Sequence, residues 1–135
     1  MNRWRRLLVL LLRIQATVMG LAFLAAIMPS SWMAATSQML GLTHPSVPLT
    51  EYLTRSLSAL YGVYGSLGWV TSSDVERYSG VITYMGVVAL FWGPLLFAID
   101  LFAGMPTFWA IGEVIAPTTG GALVLFLQRR AREAR

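Results

Sequence analysis

Four stretches of mostly apolar residues constrain the fold of this chain more than any other feature of its sequence. They cover residues 7–28, 49–71, 75–102 and 106–128. A helix needs about 20 apolar residues to cross the hydrocarbon core of a bilayer, and each stretch reaches that length. We therefore predict an all-α, polytopic membrane protein in which residues 1–135 form one domain, an antiparallel bundle of four transmembrane helices.

The overall composition agrees with a protein whose surface faces lipid. The chain is 56% hydrophobic and 12% charged, whereas a soluble domain carries about 25% charged residues. It has no cysteine, which excludes disulfides, thiolate metal sites and cysteine nucleophiles. The one histidine, His44, cannot by itself supply the usual ligand sets of zinc or haem. We therefore expect no metal and no cofactor.

The connection between the first two spans, residues 29–48, contains a pattern of its own. Within the segment SSWMAATSQMLG, Trp32, Met33 and Leu40 recur at helical spacing, and a glycine follows. A short amphipathic helix of this kind lies in the plane of the membrane interface. We predict such an interfacial helix at about residues 31–40, in a loop on the outer side.

The basic residues indicate how the spans are oriented. All ten are arginine, and seven of them lie near the two ends of the chain: Arg3, Arg5, Arg6, Arg129, Arg130, Arg132 and Arg135. Arginine clusters that flank apolar spans mark the cytoplasmic side of a membrane. The pattern predicts a multi-pass protein of the cell membrane with both termini in the cytoplasm. It argues against a surface for nucleic acid.

The first apolar stretch also has features of a cleaved signal peptide, because the basic segment RWRR precedes a run of leucines. Two features argue against cleavage. Arg13 interrupts the apolar run, and the run is longer than the apolar region of a typical signal peptide. We expect the first stretch to be a retained helix.

Four charged residues, Glu51, Arg55, Asp100 and Glu113, lie in the outer halves of the predicted spans. At 1.5 Å per residue, Arg55 and Glu113 come out at nearly the same depth, roughly 9–10 Å below the outer boundary. Asp100 and Glu51 come out nearer that boundary. Since an unpaired charge in lipid costs at least a few kcal/mol, we predict a buried network in which Arg55 pairs with Glu113 and Asp100. Glu51, one helical turn from Arg55, supports it.

Two prolines lie inside the last two spans. Pro94 removes the N–H that would bond to the carbonyl of Leu90, and Pro117 does the same to the carbonyl of Glu113. We expect both helices to kink at these positions. The kinks either open a small polar cavity in the outer half of the bundle or simply fit the helices together.

Small residues mark the faces on which the spans are expected to pack. Without a hydrophobic driving force between helices in lipid, close contact depends on glycine and similar residues. The glycines predicted to lie at helix contacts are Gly62, Gly86, Gly93, Gly112 and Gly120.

Several segments together resemble a group of small bacterial four-helix integral membrane proteins that are similar to the DoxX-like class. These segments are MPSSWM, EYLTRSLSALYG, DVERY, and IDLFAGMPTFW followed by Glu113. The resemblance extends over nearly the whole chain. It implies a four-helix membrane fold and no established chemistry.

Three functions are compatible with these residues. The leading hypothesis is a non-enzymatic accessory or small-ligand-binding membrane protein with a buried arginine–carboxylate network. The first alternative is a small dimeric proton-coupled transporter that uses Glu113 and Asp100. The second is a membrane enzyme for a lipid or quinone-like substrate, with the same carboxyls as general acid and base.

Candidate partners are the lipid bilayer, a lipid or small hydrophobic ligand, a second copy and a membrane subunit. In a purely structural reading, the charges only set helix register.

Overall fold

The computed structural model describes residues 2–42 and 47–134, and every regular element in them is a helix. His44 and the rest of residues 43–46 lie outside the described residues. The predicted all-α class is confirmed. In chain order the helices are α1 (Arg3–Ala22), α2 (Leu24–Ile27), α3 (Ser30–Met39), α4 (Pro48–Ser73), α5 (Ser79–Ala103) and α6 (Thr107–Glu133).

Three helical segments in the described part of the chain are long and apolar enough to cross a membrane. They are Arg3–Ile27, which contains α1 and α2, and the helices Ser79–Ala103 and Thr107–Glu133. In the most apolar 18-residue stretch of each segment, taken in the same order, only 17%, 22% and 17% of the residues are buried. Most residues of these apolar segments therefore keep some exposed surface, which is costly in water and expected in lipid. These segments correspond to the first, third and fourth predicted spans.

The second predicted span is a helix but is not one of these three segments. Helix α4 has 26 residues, so its length is sufficient. Its apolar character is diluted by Glu51, by Arg55 and by frequent serine, threonine, tyrosine and glycine. A bundle of four transmembrane helices is thus not confirmed.

Local signals in the sequence place several helix ends. Gly41 and Gly104 both have a φ of 69°, a left-handed conformation that glycine adopts without steric cost. The next residue in each case donates a backbone hydrogen bond back into the helix, Leu42 to Ser37 at 2.9 Å and Met105 to Asp100 at 2.9 Å. This is the Schellman arrangement that commonly ends a helix.

The start of α5 differs from the predicted span, which begins at residue 75. The Asp74 carboxylate accepts hydrogen bonds from the backbone N–H groups of Glu76 and Arg77, at 3.2 and 3.1 Å. These bonds hold residues 74–78 in a turn, since aspartate competes for nearby backbone donors. The helix therefore begins four residues later, at Ser79.

The chain divides into two compact units. Unit 1 consists of Met1–Arg13 and Val70–Arg135, and unit 2 is Ile14–Trp69. Unit 1 contains a cluster of buried apolar side chains, which are Leu8, Leu12, Val75, Ile82 and Val124.

A buried glutamine joins α5 to α6 within unit 1. Gln128 is 5% exposed. Its Nε2 donates to the carbonyl of Ser79 at 2.6 Å, and its Oε1 accepts from Thr83 Oγ1 at 2.9 Å. Both ends of the amide are therefore satisfied, as burial of a polar group requires.

Candidate functional site

An acid pair lies where α5 and α6 form a helical hairpin in unit 1. The turn after α5 contains Gly104 and Pro106, and α6 starts at Thr107. Asp100 lies in the last turn of α5 and Glu113 in the second turn of α6. The antiparallel arrangement brings their side chains into contact, and the indole of Trp109 also lies against the Glu113 carboxyl.

Asp100 is the more buried member of this pair. It is 7% exposed. Its Oδ2 atom is buried and has no hydrogen-bond partner among the described residues. An unsatisfied buried acceptor costs about 1–3 kcal/mol, so the structure carries an acceptor that a donor would stabilise.

The chemistry of two carboxyl groups in contact specifies what kind of donor fits. An ionised carboxylate has acceptors only, and two such groups repel each other. Their contact is favourable when a proton, a cation or a hydrogen-bond donor lies between them. The Trp109 indole supplies one N–H at the Glu113 side of the pair. The Asp100 side remains open to another donor.

A separate polar cluster surrounds Arg55 in unit 2. Arg55 Nη1 donates to the carbonyl of Ala26 at 2.9 Å, and its Nη2 donates to Ser30 Oγ at 3.4 Å. Ser30 Oγ in turn donates to Glu51 Oε2 at 3.1 Å. Ser30 therefore links Arg55 to Glu51, so these two predicted network members share one hydrogen-bonded cluster.

The end of α2 explains why Arg55 binds this carbonyl. The last carbonyls of a helix have no partner within that helix, and Pro29, which follows the end of α2, has no N–H to offer. A cation at this position also interacts favourably with the helix dipole. Arg55 thus caps the end of α2. The prediction did not identify Ala26 or Ser30, although the Met-Pro sequence after α2 indicates a helix end with unsatisfied carbonyls.

The predicted pairing of Arg55 with Glu113 and Asp100 would join the two units. Arg55 belongs to unit 2 and both acids belong to unit 1. Within each unit the structure brings together part of the predicted set, Asp100 with Glu113 and Glu51 with Arg55. The ion pair between the two parts stays a prediction.

Helices α5 and α6 continue through Pro94 and Pro117, which lie inside them. Gly93 is buried and packs directly against the Pro117 turn of α6. A Cβ atom at Gly93 would collide with Thr118 Oγ1 and would approach the Val114 carbonyl to 2.8 Å. Glycine is required at position 93 because the two helix backbones approach closely there. The predicted kinks at Pro94 and Pro117 remain predictions.

The other glycines of the predicted packing set differ in their surroundings. A Cβ at Gly62 would lie 2.8 Å from Phe23, and one at Gly86 would lie 2.9 Å from Leu125. Gly120 is buried. A Cβ at Gly112 would meet no atom of the described residues within 4 Å. Close contact at Gly62 and Gly86 agrees with a packing role, and Gly112 shows no such contact.

No protein-family model, curated protein or solved structure matches this chain.

Proposed function

We propose that this chain is a multi-pass protein of a bacterial inner membrane and acts as an accessory or small-ligand-binding protein. In this proposal α4 spans the membrane together with the three apolar segments, which gives an antiparallel four-helix bundle with cytoplasmic termini. The resemblance to DoxX-like four-helix proteins is part of the same proposal.

The geometry of α4 supports its role as a fourth span. Its 26 residues extend over about 39 Å, more than the roughly 30 Å of the hydrocarbon core. Its hydroxyl groups bond to carbonyls of the preceding turn, as in Ser58 to Thr54 at 2.7 Å and Ser66 to Val63 at 2.7 Å. Such bonds satisfy hydroxyl donors inside lipid. Arg55 donates to Ala26 and Ser30, which lowers the cost of placing its charge there.

One observation carries the proposed ligand-binding function. Asp100 Oδ2 is buried without a partner among the described residues, beside the Glu113 carboxyl, in a hairpin of two apolar helices. Ionisable residues inside membrane spans are rare and mark functional sites. We infer that the pair takes a small cationic or hydrogen-bond-donating ligand, which would lie between the two carboxyls.

The proposed binding is tested with methylammonium as the probe. The full chain is purified in dodecylmaltoside, and its thermal unfolding is followed by tryptophan fluorescence while methylammonium chloride is titrated against sodium chloride of equal ionic strength. A ligand that binds only the folded state stabilises it, by about 2.7 kcal/mol at 100 times the dissociation constant. We expect a saturable stabilisation that is lost in Asp100→Asn and in Glu113→Gln.

The matched control is Glu133→Gln, which removes a carboxyl from the exposed end of the same helix. It should leave the response to methylammonium unchanged. If wild type and Asp100→Asn respond equally, the acid pair is not the binding site and the proposal is wrong.

The same pair favours a second candidate function, a small proton-coupled transporter that works as a dimer. Carboxyl groups inside membrane spans act as proton relays in carriers. In proteoliposomes with an imposed pH gradient and a trapped pH-sensitive dye, Glu113→Gln should abolish substrate-linked proton flux. Unchanged flux in this variant would eliminate the transporter.

A further inference from the structure

A second polar site lies in unit 1, at the end where α1 begins and α6 ends. It is a cavity of about 310 Å³, which is near the lower limit of small-molecule sites. Its polar lining comes from the start of α1, the turn before α5 and the end of α6: Asn2, Arg5, Glu76, Ser79, Gln128 and Arg132. We call it the arginine cavity. Glu76 and Arg132 are exposed, so the cavity opens to the surface.

The charges around the arginine cavity do not balance. Arg5 and Glu76 form a salt bridge of 3.4 Å. Arg132 donates a long hydrogen bond of 3.5 Å to Thr83 Oγ1, and no described carboxylate forms a salt bridge with it. Among the residues that the structure describes, the lining therefore has two guanidinium groups and one carboxylate. One further negative charge would neutralise it.

A donor of Arg5 is also unused. Its Nε atom is buried and has no hydrogen-bond partner in the described residues. Guanidinium groups present their donors as a planar fork that matches two oxygens of a phosphate. An anion that enters beside Arg5 and Arg132 would bind the terminal nitrogens of the two guanidinium groups, since Arg5 Nε itself is not accessible from the cavity.

The first turn of α1 adds a weaker attraction for anions. The Asn2 side chain caps this helix, because its Oδ1 accepts from the Arg5 backbone N–H at 2.8 Å. The remaining N–H groups of the first turn and the helix dipole favour negative charge at this end. Gln128, in contrast, already donates to Ser79 and accepts from Thr83.

The surroundings of the cavity are those of a membrane interface. Trp4 packs edge-on against Phe126 with a centroid distance of 6.2 Å. The Arg130 guanidinium lies over both rings, 6.0 Å from the Trp4 centroid and 5.4 Å from the Phe126 centroid. Tryptophan and arginine concentrate at the level of the lipid headgroups. The phosphate of a lipid is therefore the anion nearest to this cavity in a membrane.

We propose that the arginine cavity binds an anionic phosphate group, with Arg5 and Arg132 as its ligands. In the membrane the source is the headgroup of an anionic phospholipid, since basic pockets between membrane helices bind such headgroups. Free phosphate has the same chemistry. The experiment therefore has one arm for each source.

Binding is measured by native mass spectrometry of the full chain in detergent micelles doped with phosphatidylglycerol or phosphatidylcholine. Both lipids carry an anionic phosphodiester. In phosphatidylcholine the cationic choline cancels this charge, whereas phosphatidylglycerol keeps it. We expect one phosphatidylglycerol to be retained at least about tenfold more strongly than phosphatidylcholine, because only phosphatidylglycerol brings the net negative charge that would neutralise the lining. Arg132→Gln should remove this preference while leaving the Arg5–Glu76 salt bridge in place.

Two control variants distinguish a site from diffuse attraction. Arg129→Gln removes an exposed arginine from the same end of α6, and Arg3→Gln with Arg6→Gln removes two exposed arginines from the start of α1. None of these residues lines the cavity. Both variants should retain the preference for phosphatidylglycerol. If they weaken it as much as Arg132→Gln does, or if wild type shows no preference, the proposal is overturned.

The second arm adds 10 mM inorganic phosphate, with chloride of equal ionic strength as the reference. Displacement of phosphatidylglycerol by phosphate but not by chloride supports the site and identifies the free anion as a ligand. Retention of the lipid in phosphate identifies the headgroup as the ligand. Equal displacement by phosphate and chloride shows simple screening and contradicts a phosphate site.

Discussion

Replacement of Gly121 by alanine tests whether α5 and α6 are held together by direct contact of their backbones. A Cβ atom at Gly121 would lie 2.6 Å from the carbonyl oxygen of Gly86 and 3.0 Å from Ala89 Cβ. The first of these atoms is backbone, so it cannot move aside as a flexible side chain would. The alanine variant must separate the helices by several tenths of an ångström.

Gly112→Ala is the matched control, because it makes the same substitution on the same helix. A Cβ at Gly112 would meet no described atom within 4 Å. Alanine is favoured over glycine inside a helix by about 1 kcal/mol, and this gain applies at both positions. Overpacking at Gly121 costs about 1–3 kcal/mol. Since the helix-propensity gain cancels, Gly121→Ala should be less stable than Gly112→Ala by about 1–3 kcal/mol.

The free energy of unfolding is measured by titrating sodium dodecyl sulfate into dodecylmaltoside micelles, with helicity followed by circular dichroism. We expect Gly112→Ala to unfold at or above the wild-type midpoint, and Gly121→Ala to unfold at or below it and clearly below Gly112→Ala. Equal midpoints for the two variants would refute the close approach of α5 and α6 at this turn.

Three further substitutions are tested in the same assay. Arg55→Leu should lower the free energy of unfolding by about 1.5–3 kcal/mol, since it removes a charged donor from the Ala26 carbonyl; wild-type stability would contradict the capping role. Gln128→Leu should cost about 1–3 kcal/mol, because it removes two hydrogen bonds from α6 to α5 that contribute about 0.5–1.5 kcal/mol each; a neutral result would contradict the buried bridge. Asp100→Asn should add about 1 kcal/mol, because its amide can donate to Glu113. A loss of stability in that variant would show that Asp100 already has a donor.

The Asp100 variant also separates stability from function. Functional sites often keep destabilising groups that a substitution can relieve. If the acid pair is a binding site, Asp100→Asn should gain stability and lose its response to methylammonium together. A gain of stability alone would identify the pair as structural. A loss of the response to methylammonium alone would identify it as functional.

The positions of the helices could be predicted from the sequence because the signals that determine them are local. Runs of apolar residues predict α1, α5 and α6, and the glycines at 41 and 104 mark the ends of α3 and α5. The contact between Asp100 and Glu113 could also be anticipated in part. Counting residues from the α5–α6 turn places both carboxyls near the same end of the hairpin.

The partner of Arg55 could not be obtained in the same way. A carbonyl has no sequence signature of its own, and the Ala26 carbonyl becomes available only because α2 ends beside Pro29 and α4 packs against that end. Depth along a helix indicates which side chains could meet. It does not indicate which face of each helix they occupy, so the prediction considered carboxylates alone.

The arginine cavity shows the same limit more strongly. Its walls come from both ends of the chain and from the turn near residue 76, and each arginine by itself predicts only membrane orientation.

The amino-acid sequence alone determined where helices form, where they end and which of them are apolar enough for lipid, because these properties depend on neighbours within a few turns. Only the tertiary structure decided which polar groups were left without partners, because that depends on contacts between residues far apart in the chain.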